Sequence, residues 1–147
     1  AQPEKSNFET LSYSESKVGQ ALDEATDAKQ KAEILKASAG RGYEVFLKEG
    51  ACISCHVNFG RNSELKVDLW GSLVRPANLT QGIYRGGRRP IDIFYRIAGG
   101  IPPSGMPEAP AALKSSPDKI WDLVNFVRAL PYPDMLPDEV REKIYGK

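Results

Sequence analysis

The chain has 147 residues, with 20 Lys plus Arg against 19 Asp plus Glu and 41% hydrophobic residues, a size and balance that fit one domain with appendages and not a disordered polyelectrolyte. A formal net charge of +1 lacks the positive excess that gripping a phosphate backbone requires, which disfavours a nucleic-acid protein. No apolar run approaches the ~18 residues of a membrane span, and the Ala-Gln-Pro start has neither an initiator Met nor a signal-peptide pattern, as a mature export product or an excised domain would both show.

In chain order, Ser12 with Glu15 predicts a capping box. Val18, Leu22, Ala25, Ala32 and Leu35, with Ala21 and Ala28 between, trace a narrow apolar seam, the pattern of an Ala-rich helix of about 24 residues. Such a seam is too thin for a strong coiled coil. The helix is expected to lie back on the rest of the chain, to bridge to a neighbouring domain, or to dock a partner. Residues 1–40 are therefore read as a helical N-terminal extension, removable without loss of the main fold. The segment Tyr43 to Lys48 reads as a further helix.

Next comes Cys52-Ile53-Ser54-Cys55-His56, which holds every Cys and the single His of the chain. Four readings compete. A structural zinc site wants four Cys or His ligands and has three here, with no second cluster. A thioredoxin-like redox pair wants a preceding strand, where this sequence predicts a helix. Two unmodified cysteines beside a surface histidine is the blandest reading. The favoured one is the C-x-x-C-H attachment site of a c-type haem. Two cysteines three apart on one helical turn can each reach a vinyl group on the same porphyrin edge, and the next residue then aims its imidazole at the iron.

Residues 61–100 hold seven basic residues against three acidic, and Tyr84-Arg85-Gly86-Gly87-Arg88-Arg89-Pro90 is their densest run. It is either a solvated loop or a steering patch for an acidic redox partner. Pro90 opens a helix whose Ile91, Phe94, Ile97 and Ala98 face inward and which Gly99-Gly100 stop. No alternating hairpin pattern around Asn-Gly or Asp-Gly appears.

With the single His used, methionine is left as the second axial ligand, and the chain has two. Met106 lies in Ile101-Pro102-Pro103-Ser104-Gly105-Met106-Pro107, a loop whose prolines cut the entropy of holding a thioether in place. Met135 reads instead as a gap-filler under the C-terminal segment, and an open or water-ligated iron is the third option. Ser116-Pro117-Asp118 then supplies an N-cap, a first-position proline and a first-turn carboxylate for a helix with apolar residues at 120, 123, 124, 127 and 130, ended by Pro131. A short helix opened by Pro137 closes the chain, making 132–147 a C-terminal extension.

Taken in order, Gly42-Tyr43-Glu44-Val45-Phe46, Cys52 to His56, Gly105-Met106-Pro107 and the helix Ile120 to Leu130 resemble the class I c-type cytochromes, small helical mono-haem electron carriers of extracytoplasmic spaces. The resemblance covers residues 41–131. It implies an all-α, cytochrome c-like fold around one haem c bound through Cys52 and Cys55, with iron ligands His56 and Met106. It also implies close crossing of the first and last helices at Gly42, with Phe46 against Trp121 or Phe126. The stretch Asp68 to Thr80 resembles the segment lining the haem edge. There Pro76 is the expected carbonyl partner of the imidazole N–H, Trp70 and Arg75 are candidate propionate donors, and Leu79 lines the haem. Iron with both axial positions filled exchanges single electrons and does little bond chemistry. The expected function is thus electron transfer in the periplasm or another extracytoplasmic space, alone or within a larger oxidoreductase, docked to redox partner proteins and possessing no membrane span of its own. The alternative is a haem domain with a displaceable methionine, sensing a gas or acting like a peroxidase.

Overall fold

A computed structural model describes residues 11–146. Its secondary structure is helical: α1 (Lys17–Glu24), α2 (Ala28–Leu47), α3 (Pro90–Gly99), α4 (Ala111–Lys114), α5 (Pro117–Ala129) and α6 (Asp138–Tyr145), joined by loops that contain single 3-10 turns. The fold class is the expected all-α one.

The helical seam before residue 40 does not make one rod. The Ser12–Glu15 box forms, with the Glu15 carboxylate accepting from the Ser12 amide at 3.2 Å and the Ser12 hydroxyl accepting from the Glu15 amide at 3.3 Å. The helix proper nevertheless starts only at Lys17, capped by Ser16, whose hydroxyl accepts from the Gly19 amide at 3.1 Å. It stops at Ala25, because Asp27 caps a new start by accepting from the Gln30 amide at 2.8 Å while the Gln30 side chain reaches back to the Thr26 amide at 2.9 Å. From there α2 runs unbroken to Leu47. The division drawn at residues 40 and 41 thus falls inside a continuous helix.

The core is built where α2 crosses α5. A methyl group on Gly42 would lie 2.1 Å from the Asp122 carbonyl oxygen, so only glycine allows the two backbones this close. Phe46 meets Phe126 edge-on at 5.4 Å. Trp121 turns the other way, onto Phe94 of α3 at 4.4 Å and Tyr13 at 5.0 Å. All five stripe positions of α5 and its exit, Ile120, Leu123, Val124, Val127 and Leu130, are buried. On α3, Phe94 and Ala98 are buried as expected, joined by Ile93, while Ile91 and Ile97 are only partly covered.

A polar seam runs through the same crossing. The buried Ser38 hydroxyl donates to Asp122 Oδ1 at 2.6 Å, Arg41 grips both Asp122 oxygens at 2.9 and 3.0 Å, and the Asn125 amide donates to Ser38 at 2.9 Å. Residues before α2 join it: the Tyr13 hydroxyl donates to Asn125 at 3.3 Å, the Trp121 indole to the Leu11 carbonyl at 2.8 Å, and the Lys17 amide to Asp118 at 2.8 Å. Of the three fates expected for the extension, lying back on the domain is what the structure shows. Ser116 takes the N-cap position of α5 without a side-chain bond.

Between residues 66 and 74 lies a hairpin that the sequence reading lacked. Lys66 pairs with Val74 and Val67 with Leu73. Its turn is closed by Asp68, whose carboxylate accepts from the Trp70 and Ser72 amides at 2.9 and 2.8 Å, and by Gly71 at φ +78°. The C-terminal segment packs home through Leu136, Val140 and Ile144, and Arg61 donates to the Ile144 carbonyl at 2.7 Å.

Candidate haem site

At the end of α2 the chain reverses. The Gly50 amide donates to the Val45 carbonyl at 2.8 Å and Ala51 takes the left-handed conformation at φ 49°. A single 3-10 turn, Cys52–Ser54, follows. The amides of Cys55 and His56 both donate to the Cys52 carbonyl, at 3.2 and 2.9 Å, so the two thiols and the imidazole ride on one tight turn. The thiols are unbridged. Burial pushes the Cys52 thiol up to about 11, the reverse of the low value that a redox-active dithiol requires. Among the described residues no three Cys, His, Asp or Glu side chains are grouped to hold a bare metal ion.

His56 is oriented by the backbone: its Nδ1 lies 3.0 Å from the Ala77 carbonyl. The expected partner was Pro76, one residue earlier. The shift has a local cause at Gly60 (φ +92°), which is so close to the 77–78 backbone that an added methyl would stand 2.0 Å from the Ala77 oxygen. That close approach fixes where the carbonyl sits. With Nδ1 donating, Nε2 keeps its lone pair for an outside ligand. Burial pulls the imidazole below its ordinary value, and the bond to Ala77 opposes this in part; a neutral ring is the ligating form.

The floor beneath this turn is aromatic. Asn58 and Phe59 are both left-handed, at φ 50° and 60°, a costly geometry for a bulky residue. It drives Phe59 inward to stack on Phe46 at 5.6 Å and against Phe126 at 6.2 Å. No sequence signal pointed to Phe59, because left-handed backbone at an aromatic residue has no pattern.

The other candidates are placed as follows. Leu79 is buried in the core. Arg75 is exposed, and Trp70 stands 74% exposed at the hairpin tip; among the described residues no side-chain hydrogen bond or ion pair holds either toward the His56 turn. Met106 is half-buried in a loop pinned by backbone. The Ile101 amide donates to the Met106 carbonyl at 2.9 Å, Gly105 is left-handed, and the Ala109 amide donates back to the Ala98 carbonyl at 3.2 Å. Met135 instead lines a cleft with Leu35, Tyr84, Arg88 and Arg128, none of them part of the attachment turn. The arginine run is exposed but partly engaged within the chain: Arg89 is paired with Asp92 at 2.8 Å, and Arg88 donates to the Gly82 carbonyl.

Between His56 and Met106, Leu65, Val67, Leu69, Leu73 and Ile83 are all more than half exposed. So much uncovered apolar surface on one segment marks a place where something else packs. Lys66 of that segment reaches Cys55 Sγ at 3.4 Å, so two thiols and an imidazole with its lone pair on Nε2 stand beside it, and with a thioether in the Met106 loop the donor types fit a haem.

The cytochrome c family model matches residues 39–131. The chain belongs to the cytochrome c family. It is accordingly a c-type cytochrome, an electron-transport protein whose cofactor is covalently bound haem c. No curated protein matches the chain as a relative. Among solved structures it is similar to a chain titled "Kuenenia stuttgartiensis reducing HAO-like protein complex Kustc0457/Kustc0458", with 28% identity and a TM-score of 0.54 over 65% of this chain and 44% of that one. This cytochrome thus spans less than half the length of that neighbour. No helix in the described residues is long and apolar enough to cross a membrane.

Proposed function

We propose that this cytochrome carries one haem, held by thioethers at Cys52 and Cys55, with His56 Nε2 and Met106 Sδ as axial ligands, and passes single electrons as part of a larger extracytoplasmic oxidoreductase. The carrying observation is the 3.0 Å contact of His56 Nδ1 with the Ala77 carbonyl, which leaves the ring's lone pair on Nε2, in the same turn that bears both thiols. The bound haem supplies reversible one-electron exchange at its iron. The chain's own work is positional. The Cys52 to His56 turn fixes the attachment edge, the Ala77 carbonyl raises the basicity of the imidazole, and the loop stiffened by Pro102 and Pro103 presents the thioether with little entropy to lose. Leu79 and the exposed apolar residues of the 65–83 segment would cover the bound group, and Trp70 and Arg75 would be available as donors to its propionates. A part in a complex is supported by the structural neighbour, itself a component of a protein complex.

Intact mass after acid-acetone extraction should show one haem retained, and Cys52→Ala with Cys55→Ala should release it. Met106→Ala should abolish the sulfur-to-iron near-infrared band of the oxidised protein, lower the potential and admit carbon monoxide to the reduced iron, while Met135→Ala changes none of these. Retention of the band in Met106→Ala would move the ligand elsewhere. Ready carbon monoxide binding by the unmutated protein would favour a displaceable methionine and a sensing or peroxidase-like role.

A further inference from the structure

A cleft of about 300 Å³ opens between the loop leading into α3, the last turn of α5 and the segment beyond it, at the lower end of the size of small-molecule sites. The loop contributes Tyr84 and Arg88, α5 contributes Arg128, α2 contributes Leu35, and Pro131 and Met135 lie among the rest of the wall. None of these is assigned to the haem, and no acidic side chain lines the cleft.

Its two cations are held differently. Arg88 is fixed, donating through Nε and Nη2 to the Gly82 carbonyl at 3.1 and 2.8 Å, which leaves Nη1 unused by that contact. Arg128 forms no ion pair among the described residues. Tyr84 is anchored between them, its hydroxyl donating to the Val127 carbonyl at 3.2 Å. Both guanidiniums are close enough to that hydroxyl to favour its ionisation, against a burial that raises it. Arg88 and Arg128 are both exposed at the cleft and no acidic side chain lines it, so neither finds a counter-charge there. A bound anion supplies that charge and gains charge-assisted hydrogen bonds.

We propose that this cleft binds a carboxylate on a short apolar stem, its head between Arg88 and Arg128 and its stem against Pro131 and Met135. Apolar walls distinguish this ligand from inorganic oxyanions, which have no stem to bury. The carboxylate can be that of a free small molecule or of a glutamate on a docked protein.

The haem-loaded protein at low ionic strength is titrated with benzoate, with neutral benzamide and with N-acetyl-leucyl-glutamate amide, following the Met135 methyl and Tyr84 ring resonances. Saturable shifts with benzoate, at least tenfold weaker binding of benzamide, and at least a tenfold loss in Arg128→Gln are expected, while Arg85→Gln, outside the cleft, binds as the parent does. Saturation by benzoate identifies a free small carboxylate as sufficient; saturation by the glutamyl peptide alone identifies a protein side chain. Binding of neither probe, equal binding of benzamide, or undiminished binding in Arg128→Gln with an unaltered haem spectrum would overturn the proposal.

Discussion

Gly42 and Gly99 show how one residue type carries opposite consequences. Gly42→Ala forces a methyl into the Asp122 carbonyl, so α2 and α5 must separate; overpacking of this kind costs about 1–3 kcal/mol or more. Gly99, in the last turn of α3, has nothing within 4 Å of an added methyl, so Gly99→Ala should be neutral or gain up to about 1 kcal/mol from helix propensity. Urea midpoints of the two variants test this directly, and equal midpoints would contradict the close crossing. Tyr84 supplies a pH dependence. Burial raises its phenol above the ordinary 10.0, so the folded protein keeps the proton where the unfolded chain releases it. Its contribution to stability is whole below pH 10 and is lost as pH rises through the folded value. The stability difference between the parent and Tyr84→Phe should therefore shrink above pH 10. A difference that stays constant through that range would show the phenol to be unperturbed.

Among the elements, the α2–α5 pair holds a polar seam whose members differ sharply in worth. Asp122 has a side chain 11% exposed and receives bonds from Ser38 and Arg41, whereas Arg41 is 55% exposed. Asp122→Ala leaves the buried Ser38 hydroxyl without its acceptor and should cost about 1–3 kcal/mol. Arg41→Ala removes a largely hydrated partner and should cost under about 1 kcal/mol. Comparable losses in denaturant titrations of the two would mean that the ion pair, and not the buried hydrogen bond, secures the crossing. Ser38, Asp122 and Asn125 were not legible in the sequence, where a serine and an aspartate on helices read as solvated. The stripe at 120 to 130 and the Cys52 to His56 turn were legible, because one repeats at helical spacing and the other is confined to five adjacent residues, whereas the glycine crossing was legible only through the resemblance to the family. The hairpin escaped because its turn is closed by a side chain, Asp68, and not by the Asn-Gly or Asp-Gly pairs that announce hairpins. The break between α1 and α2 escaped for a like reason: the seam of alanines continues through it, while the decision rests on Asp27 and Gln30. The carbonyl partner of His56 fell one residue from expectation, since the approach of Gly60 to Ala77 is a tertiary contact that no local pattern encodes.

At the scale of the whole molecule, the first segment is knitted into the cytochrome through Leu11, Tyr13, Lys17 and Val18. Deleting residues 1–26 should spare α2 and cost a few kcal/mol, from the lost Tyr13 ring contact and the bonds to Trp121 and Asn125. Deleting 1–38 cuts α2 itself and strips Ser38 from Asp122 and Asn125, so its urea midpoint should fall well below that of the shorter deletion. Equal midpoints, with haem absorption unchanged in both, would restore the view that everything before residue 40 is dispensable. The unbroken course of α2 has a mechanical consequence. Its 20 residues make a rod about 30 Å long, with α1 docked near one end and the Cys52 turn leaving the other. A subunit that clasped α1 would thereby set the tilt and range of the redox centre within an assembly, and the electron's path would be fixed by construction and not found by diffusion.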